Sequence, residues 1–322
     1  MIKLTRILFS LGMGLYLNAP AFASIPAKEI PKENVDMGSL KKRLTTKSPF
    51  EKEANTQKLS FDIPVTYNQK VASWVKYYQK TGNNWFKSWI EKSTIYVPYL
   101  QKELKAEQLP QDLAYIVMIE SGFEPNAKSV ASAVGPWQFI PETGSRYGLK
   151  NNWWLDERRD FRKSTRAAIR YIRDLYKEFG SWYLVAASYN MGENGLLRQI
   201  KKHKTRDFWE LSRRGALPEE TVNYVPKILA AMLIAKAPSL YGFRNLTEFK
   251  ELEYDLVYVP GGTDLKYLAD HLGVTHKSLQ DLNAELLLGY VPKQVNQHLI
   301  RIPKGAQTLV SEYIQKGERT HF

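Results

Sequence analysis

The sequence predicts a mainly α-helical protein that ends in a small mixed module. Three observations carry this. From about Tyr67 to Ala235, apolar residues recur at three- and four-residue spacing, the period of helices with one buried face. Gly, Pro and hydroxyl residues punctuate that region where helices begin and stop. After about Leu246 the pattern changes. Tyr254-Asp255-Leu256-Val257-Tyr258-Val259 alternates like a strand, Leu265 to Leu272 and Leu279 to Leu282 read as short helices, and His298-Leu299-Ile300-Arg301-Ile302-Pro303 reads as a closing strand.

Taken in order, the chain opens with Lys3 and Arg6, an apolar stretch from Ile7 to Leu17, and Ala21-Phe22-Ala23. A basic start, a short apolar core and a small-x-small site make a cleavable export signal over residues 1–23. Residues 24–66 are polar and Lys-rich and read as an arm. Val71, Trp74, Val75 and Tyr78 begin the helical region. Trp85, Phe86, Trp89 and Ile90 open a second helix, and Ile95 to Ala106 a third. These aromatics fit either a core or a sugar cleft. Pro110 opens the next helix. Ser164 or Thr165 caps one that ends at Gly180, Trp182 to Tyr189 forms another, broken at Gly192 and Gly195, and Glu219 to Ala235 is the last. The expected division is a helical body over 67–246, a module over 250–305 and a helical tail over 306–322.

Composition excludes several chemistries. The chain has no cysteine, so thiol nucleophiles, thiolate metal sites and a lipidated N-terminal Cys are ruled out. Its 5 His residues are scattered, with no HExxH, so neither a metal nor a cofactor is expected. The formal charge of +13 suits an anionic partner. Export and the lack of any nucleic-acid module point away from nucleic acid and toward a polyanionic cell wall, with a location in the periplasm and no lipid anchor.

Glu120 is the candidate for chemistry. It ends the apolar run Leu113-Ala114-Tyr115-Ile116-Val117-Met118-Ile119 and shares a helical face with Leu113, Ile116 and Val117. Burial and a helix C-terminus both disfavour its charge, which is how a general acid is made. A buried Glu held for structure would show the same pattern.

Four ordered pieces extend this: Glu120-Ser121; Gly135-Pro136-Trp137-Gln138-Phe139; Ala187-Ser188-Tyr189-Asn190-Met191-Gly192; and Leu217-Pro218-Glu219-Glu220-Thr221 with Tyr224-Val225-Pro226. Together they resemble the lytic transglycosylase domain of glycoside hydrolase family 23, of the membrane-bound lytic murein transglycosylase D type, from about Trp85 to Leu233. The resemblance implies a lysozyme-like α-helical fold, peptidoglycan glycan strands as substrate, and cleavage of the β-1,4 bond between N-acetylmuramic acid and N-acetylglucosamine without water. Glu120 matches the single acid that then acts as base. Ser121, Gln138, Tyr189, Asn190 and Tyr224 match substrate-contacting or acid-ordering positions. Ser121 would meet sugar or acid, Tyr189 would order Glu120, Asn190 would hold an N-acetyl group, and Tyr224 would bond the acid or pack in the core. Trp137 and Trp154 suit packing, and Arg158, Asp160 and Glu220 suit ion pairs or caps. Pro136 and Ser188 depart from the commoner Leu and Ala.

The C-terminal segment resembles a LysM module, a βααβ unit, through Gly262-Thr263-Asp264-Leu265, Leu282-Asn283 and Ile302-Pro303. Its Thr-Asp order is inverted and its insert from Glu285 to Gln297 is irregular, so glycan binding and a docking or spacer role both fit. Two other readings fit the chain: a goose-type-lysozyme-like hydrolase, which needs a second carboxylate among Glu124, Asp156, Glu193 and Glu219, and a non-catalytic wall-binding protein.

Overall fold

Helical stripes become a folded body only when each finds a partner surface. In the computed structural model, which describes residues 33–34 and 59–317, they pack around one apolar helix. The export signal, most of the arm and residues 318–322 lie outside the described residues. That central helix, α9 (Glu219–Lys236), buries Val222, Val225, Ile228, Leu229 and Met232, and other apolar residues around most of its circumference. It packs against α1 (Gln69–Gln79), α3 (Tyr115–Ser121) and α6 (Trp182–Met191). Between these run α2 (Asn83–Ala106), α4 (Pro141–Arg146), α5 (Phe161–Phe179), α7 (Glu193–His203) and α8 (Phe208–Arg213).

Some boundaries differ from the sequence expectation. The second and third helices are one, α2, which runs through Pro98. Burial of Phe86, Ile90, Val97, Leu100 and Leu104 along one side outweighs the hydrogen bond that proline removes. Helix α5 is capped by Asp160, which accepts from the Lys163 amide at 2.8 Å. Ser164 and Thr165 lie inside it, buried, and bond back to the Asp160 and Phe161 carbonyls at 2.6 Å each. Gly192 separates α6 from α7, but Gly195 sits within α7. Residues at the end of the expected arm join the body. Strand β1 (Glu33–Asn34) pairs with β2 (Ser60–Phe61), Phe61 and Ile63 are buried, and Asp62 accepts from the Gln111 and Asp112 amides at 2.6 and 2.9 Å. That carboxylate anchors the 3-10 turn Gln111–Ala114, which leads into α3.

The C-terminal module follows the expected order. Strands β3 (Tyr254–Pro260) and β4 (Gln297–Pro303) pair antiparallel, Tyr254 opposite Pro303, with α10 (Leu265–His271) and α11 (His276–Leu282) between them. The expected tail is part of this module: α12 (Gln307–Lys316) buries Val310 and Tyr313 in its core. So does one residue from the body, Leu155, packed with Val259, Leu265, Leu268, Ile300 and Ile302. The described residues form one compact unit with no break between body and module.

Candidate active site

The acid sits on a short, strained platform. Helix α3 ends at Ser121, and Gly122 caps it with φ +59°, a left-handed conformation that favours glycine. A Cβ there would also lie 2.0 Å from Nε1 of Trp89, so no side chain fits. Phe123 continues with φ +67°, an uncommon conformation for an aromatic residue, stabilised by stacking on Tyr96 at 5.6 Å. The turn brings the end of α3 under α9.

There Glu120 receives a hydrogen bond from the Tyr224 hydroxyl. Protein atoms crowd the carboxylate although the residue keeps some solvent exposure. Burial pushes its pKa from 4.5 to about 7, against the pull of the Tyr224 hydrogen bond, with a smaller upward push from Glu220 and a smaller downward pull from Lys227. Such a group holds a proton near neutral pH and can release it. The Tyr224 hydroxyl is itself held well above its ordinary pKa by burial and by Glu120, so it stays a neutral donor.

Around the acid, the sequence-predicted residues divide into two kinds. The Ser121 hydroxyl donates to the Pro136 carbonyl at 2.8 Å and joins α3 to the loop 135–139. Tyr189 also serves that loop, donating to the Trp137 carbonyl at 2.7 Å. It was expected to order Glu120. Tyr224 has that contact, because α9 lies over the acid while α6 faces the loop. Burial, then the charge of Glu120, raise the Tyr189 pKa, so the two side chains are nonetheless neighbours. Trp137 is buried, and its indole donates to Thr165 at 2.9 Å.

Gln138 and Asn190 carry side-chain amides that protein hydrogen bonds orient. Gln138 adopts φ +48° on the loop, and its amide nitrogen donates to the Gly135 and Ala127 carbonyls at 2.8 and 3.3 Å. Its oxygen is therefore what it offers, as an acceptor. Asn190 ends α6. Its oxygen accepts from Thr221 at 2.7 Å and its nitrogen donates to Glu220 at 3.2 Å. Thr221 and Glu220 thus fix which way the amide points.

Three of the four acids weighed for a second carboxylate role, Asp156, Glu193 and Glu124, have partners of their own. Asp156 makes a two-point pair with Arg158 at 2.8 Å, buried. Glu193 bonds Arg146 at 2.6 Å and Tyr171 at 3.1 Å. Glu124 lies 3.4 Å from Lys92. Glu220, read from sequence as an ion pair or cap, is the carboxylate whose charge acts on Glu120. Thr221, which bonds Asn190, and Lys227, whose charge acts on Glu120, were given no individual role by the sequence reading. Thr221 and Glu220 stand in the fourth motif, but their bonds to Asn190 cross between helices and leave no periodic trace. Among the described residues no cluster of His, Asp and Glu could hold a metal ion, and no helix is long and apolar enough to cross a membrane.

The site thus joins an acid of raised pKa to a phenol that donates to it. Residues 98–212 match the transglycosylase SLT domain, and residues 253–316 match the LysM-like domain of lytic transglycosylase MltD. The chain is 35% identical over 228 residues to membrane-bound lytic murein transglycosylase D of Escherichia coli K12, and equally so to that of E. coli O6:H1 strain CFT073. That span is 69% of this chain and 49% of each relative, so the chain spans about half the length of the curated relatives it matches. Among solved structures, the 70 kDa soluble lytic transglycosylase of E. coli aligns over 54% of this chain and 31% of its own, at 19% identity and a TM-score of 0.39.

Proposed function

We propose that this protein is a peptidoglycan lytic transglycosylase of the cell envelope, exported by residues 1–23 to the periplasm and acting on glycan strands. The observation that carries this reading is Glu120: a crowded carboxyl, pKa about 7, bonded to Tyr224, within an SLT domain.

Protonated Glu120 donates its proton to the glycosidic oxygen, and the bond from that oxygen to C1 of N-acetylmuramic acid breaks. Charge develops at C1 and its ring oxygen. The resulting carboxylate takes the proton from the muramic 6-hydroxyl, and O6 closes on C1 to give a 1,6-anhydro end. Atoms balance without water, and Glu120 returns protonated. One carboxyl performs both transfers because they occur in sequence at neighbouring oxygens, and intramolecular closure gains from proximity. Gln138 and Asn190 orient the sugar, with Asn190 toward the N-acetyl group. Tyr224 keeps Glu120 in place, while Ser121 and Tyr189 hold the loop that carries Gln138.

A hydrolytic variant of this chemistry needs a carboxylate to activate water, and Glu220 is the residue whose position favours that role. Mass spectrometry of fragments released from purified peptidoglycan separates the two. Anhydro ends that disappear in Glu120→Gln and persist in Glu220→Gln are expected. Reducing ends, heavier by one water and lost in Glu220→Gln, would make the enzyme a hydrolase. No fragments from the unaltered protein would leave a wall-binding protein.

A further inference from the structure

We propose that the C-terminal module is a working part of the catalytic body, holding the loop 135–139 through the strap 151–160, with Arg301 as the positioning residue. The role of the loop rests on the proposed function; the mechanical coupling does not.

One face of the strap belongs to the module. Leu155 is buried in the module core and pairs with Leu286 as a short antiparallel bridge. Asp156 donates its amide to the Glu285 carbonyl, and Leu287 donates its amide to the Trp154 carbonyl, both at 2.9 Å. Trp154 meets His298 edge-on at 5.2 Å. Arg301 closes the seam: its guanidinium bonds Asp160 at 2.5 Å and Glu285 at 2.8 Å, all three groups buried or nearly so. Asn283 fixes the backbone of Arg301 with two bonds of 2.8 Å.

The other face belongs to the site. Arg158, paired with Asp156, donates to the Phe139 carbonyl at the end of the loop and to the Ser132 carbonyl three residues before its start, at 3.0 Å each. Gly135, with φ +85°, rests on the strap so closely that a Cβ would lie 1.9 Å from the Arg158 carbonyl oxygen. Asp160, the acceptor for Arg301, caps α5, and α5 supplies the Thr165 that holds Trp137. Two routes therefore run from the module to the loop, one through Asp156 and Arg158, one through Asp160 and α5. A wall-binding tether on a flexible joint would need neither. Packed interiors transmit displacement because they have little free volume, and a small misplacement of a substrate-positioning group costs up to about a hundredfold in rate.

The test uses the full mature chain with Arg301→Met, Arg301→Lys and, elsewhere on the module, Lys304→Ala, which removes only the Asp255 ion pair of 2.9 Å. Hydrogen exchange of amides 132–139 is read first. Arg301→Met is expected to speed it about tenfold, Arg301→Lys to restore it in part, and Lys304→Ala to leave it unchanged. With a soluble peptidoglycan oligosaccharide, kcat for Arg301→Met is expected to fall about tenfold with KM changed less, on the proximity argument above. Unchanged loop exchange in folded Arg301→Met overturns the proposal. So does equal acceleration in Lys304→Ala, or lost activity confined to insoluble wall, which marks a tether. Should Arg301→Met not fold, Leu286→Ala takes its place under the same criteria. An unaltered protein that cuts no glycan refutes the functional reading alone, and loop exchange then decides the coupling.

Discussion

Two acidic regions adjoin the loop 135–139, and they differ in partner. At the end of α3, Glu120 meets a phenol, which cannot neutralise its charge. In the strap, Asp156 and Asp160 meet the guanidinium groups of Arg158 and Arg301 at 2.8 and 2.5 Å. Burial penalises a carboxylate in both places. A guanidinium returns most of that penalty and holds the carboxylate as an anchor, whereas a phenol leaves the group poised to exchange a proton. Glu285 shows the intermediate case: burial pushes its pKa up while Arg301 pulls it back. Partner chemistry, more than depth, separates an acid poised to exchange a proton from one that holds.

The sharpest way to break the comparison is Glu120→Gln. Glycan cleavage is expected to fall at least about a thousandfold, as loss of a general acid does, while the fold remains. The same variant tests the stability side. Because the folded pKa of Glu120 lies above its ordinary 4.5, the native state binds more protons between pH 4.5 and about 7, and stability is lost as pH rises through that window. Glu120→Gln should therefore raise Tm at pH 8 relative to the unaltered protein more than at pH 4.5, measured by thermal denaturation at both. An equal effect at both pH values would mean that the carboxyl is not protonated in the native state.

On the strap side, Arg158→Met should destabilise by about 3–5 kcal/mol in chemical denaturation, since it removes the two-point partner of buried Asp156 and leaves it only the longer 3.8 Å contact with Arg159. A loss below about 1 kcal/mol would mean that the pair is solvated and the contrast false. Smaller and more specific is Tyr224→Phe. The hydrogen bond from Tyr224 lowers the Glu120 pKa, so its removal should move the alkaline limb of the kcat/KM profile, which lies near pH 7, upward. The least effect is expected from Glu220→Gln. Its charge raises the Glu120 pKa, so the same limb should shift slightly downward, while a collapse of kcat would assign Glu220 a direct chemical role.

Much of this was legible in the sequence. The stripe of Leu113, Ile116 and Val117 placed Glu120 on a buried face, because helical period and apolar side chains are local properties. The module's strand-helix-helix-strand order followed from the switch in period after Leu246. Less legible were the helix ends. The split expected before Ile95 and the break expected at Gly195 give way to packing, and Asp160 takes the cap that Ser164 or Thr165 could have held.

The residue types thus determined the acid, the helical class and the ordered motifs. Only tertiary structure decided which tyrosine meets Glu120, because Tyr189 and Tyr224 differ in where α6 and α9 aim them, not in chemistry. It also decided that Leu155 belongs to the core of the C-terminal module. An apolar residue records that it will be buried; contacts between distant segments depend on how the elements pack, which a local pattern does not encode.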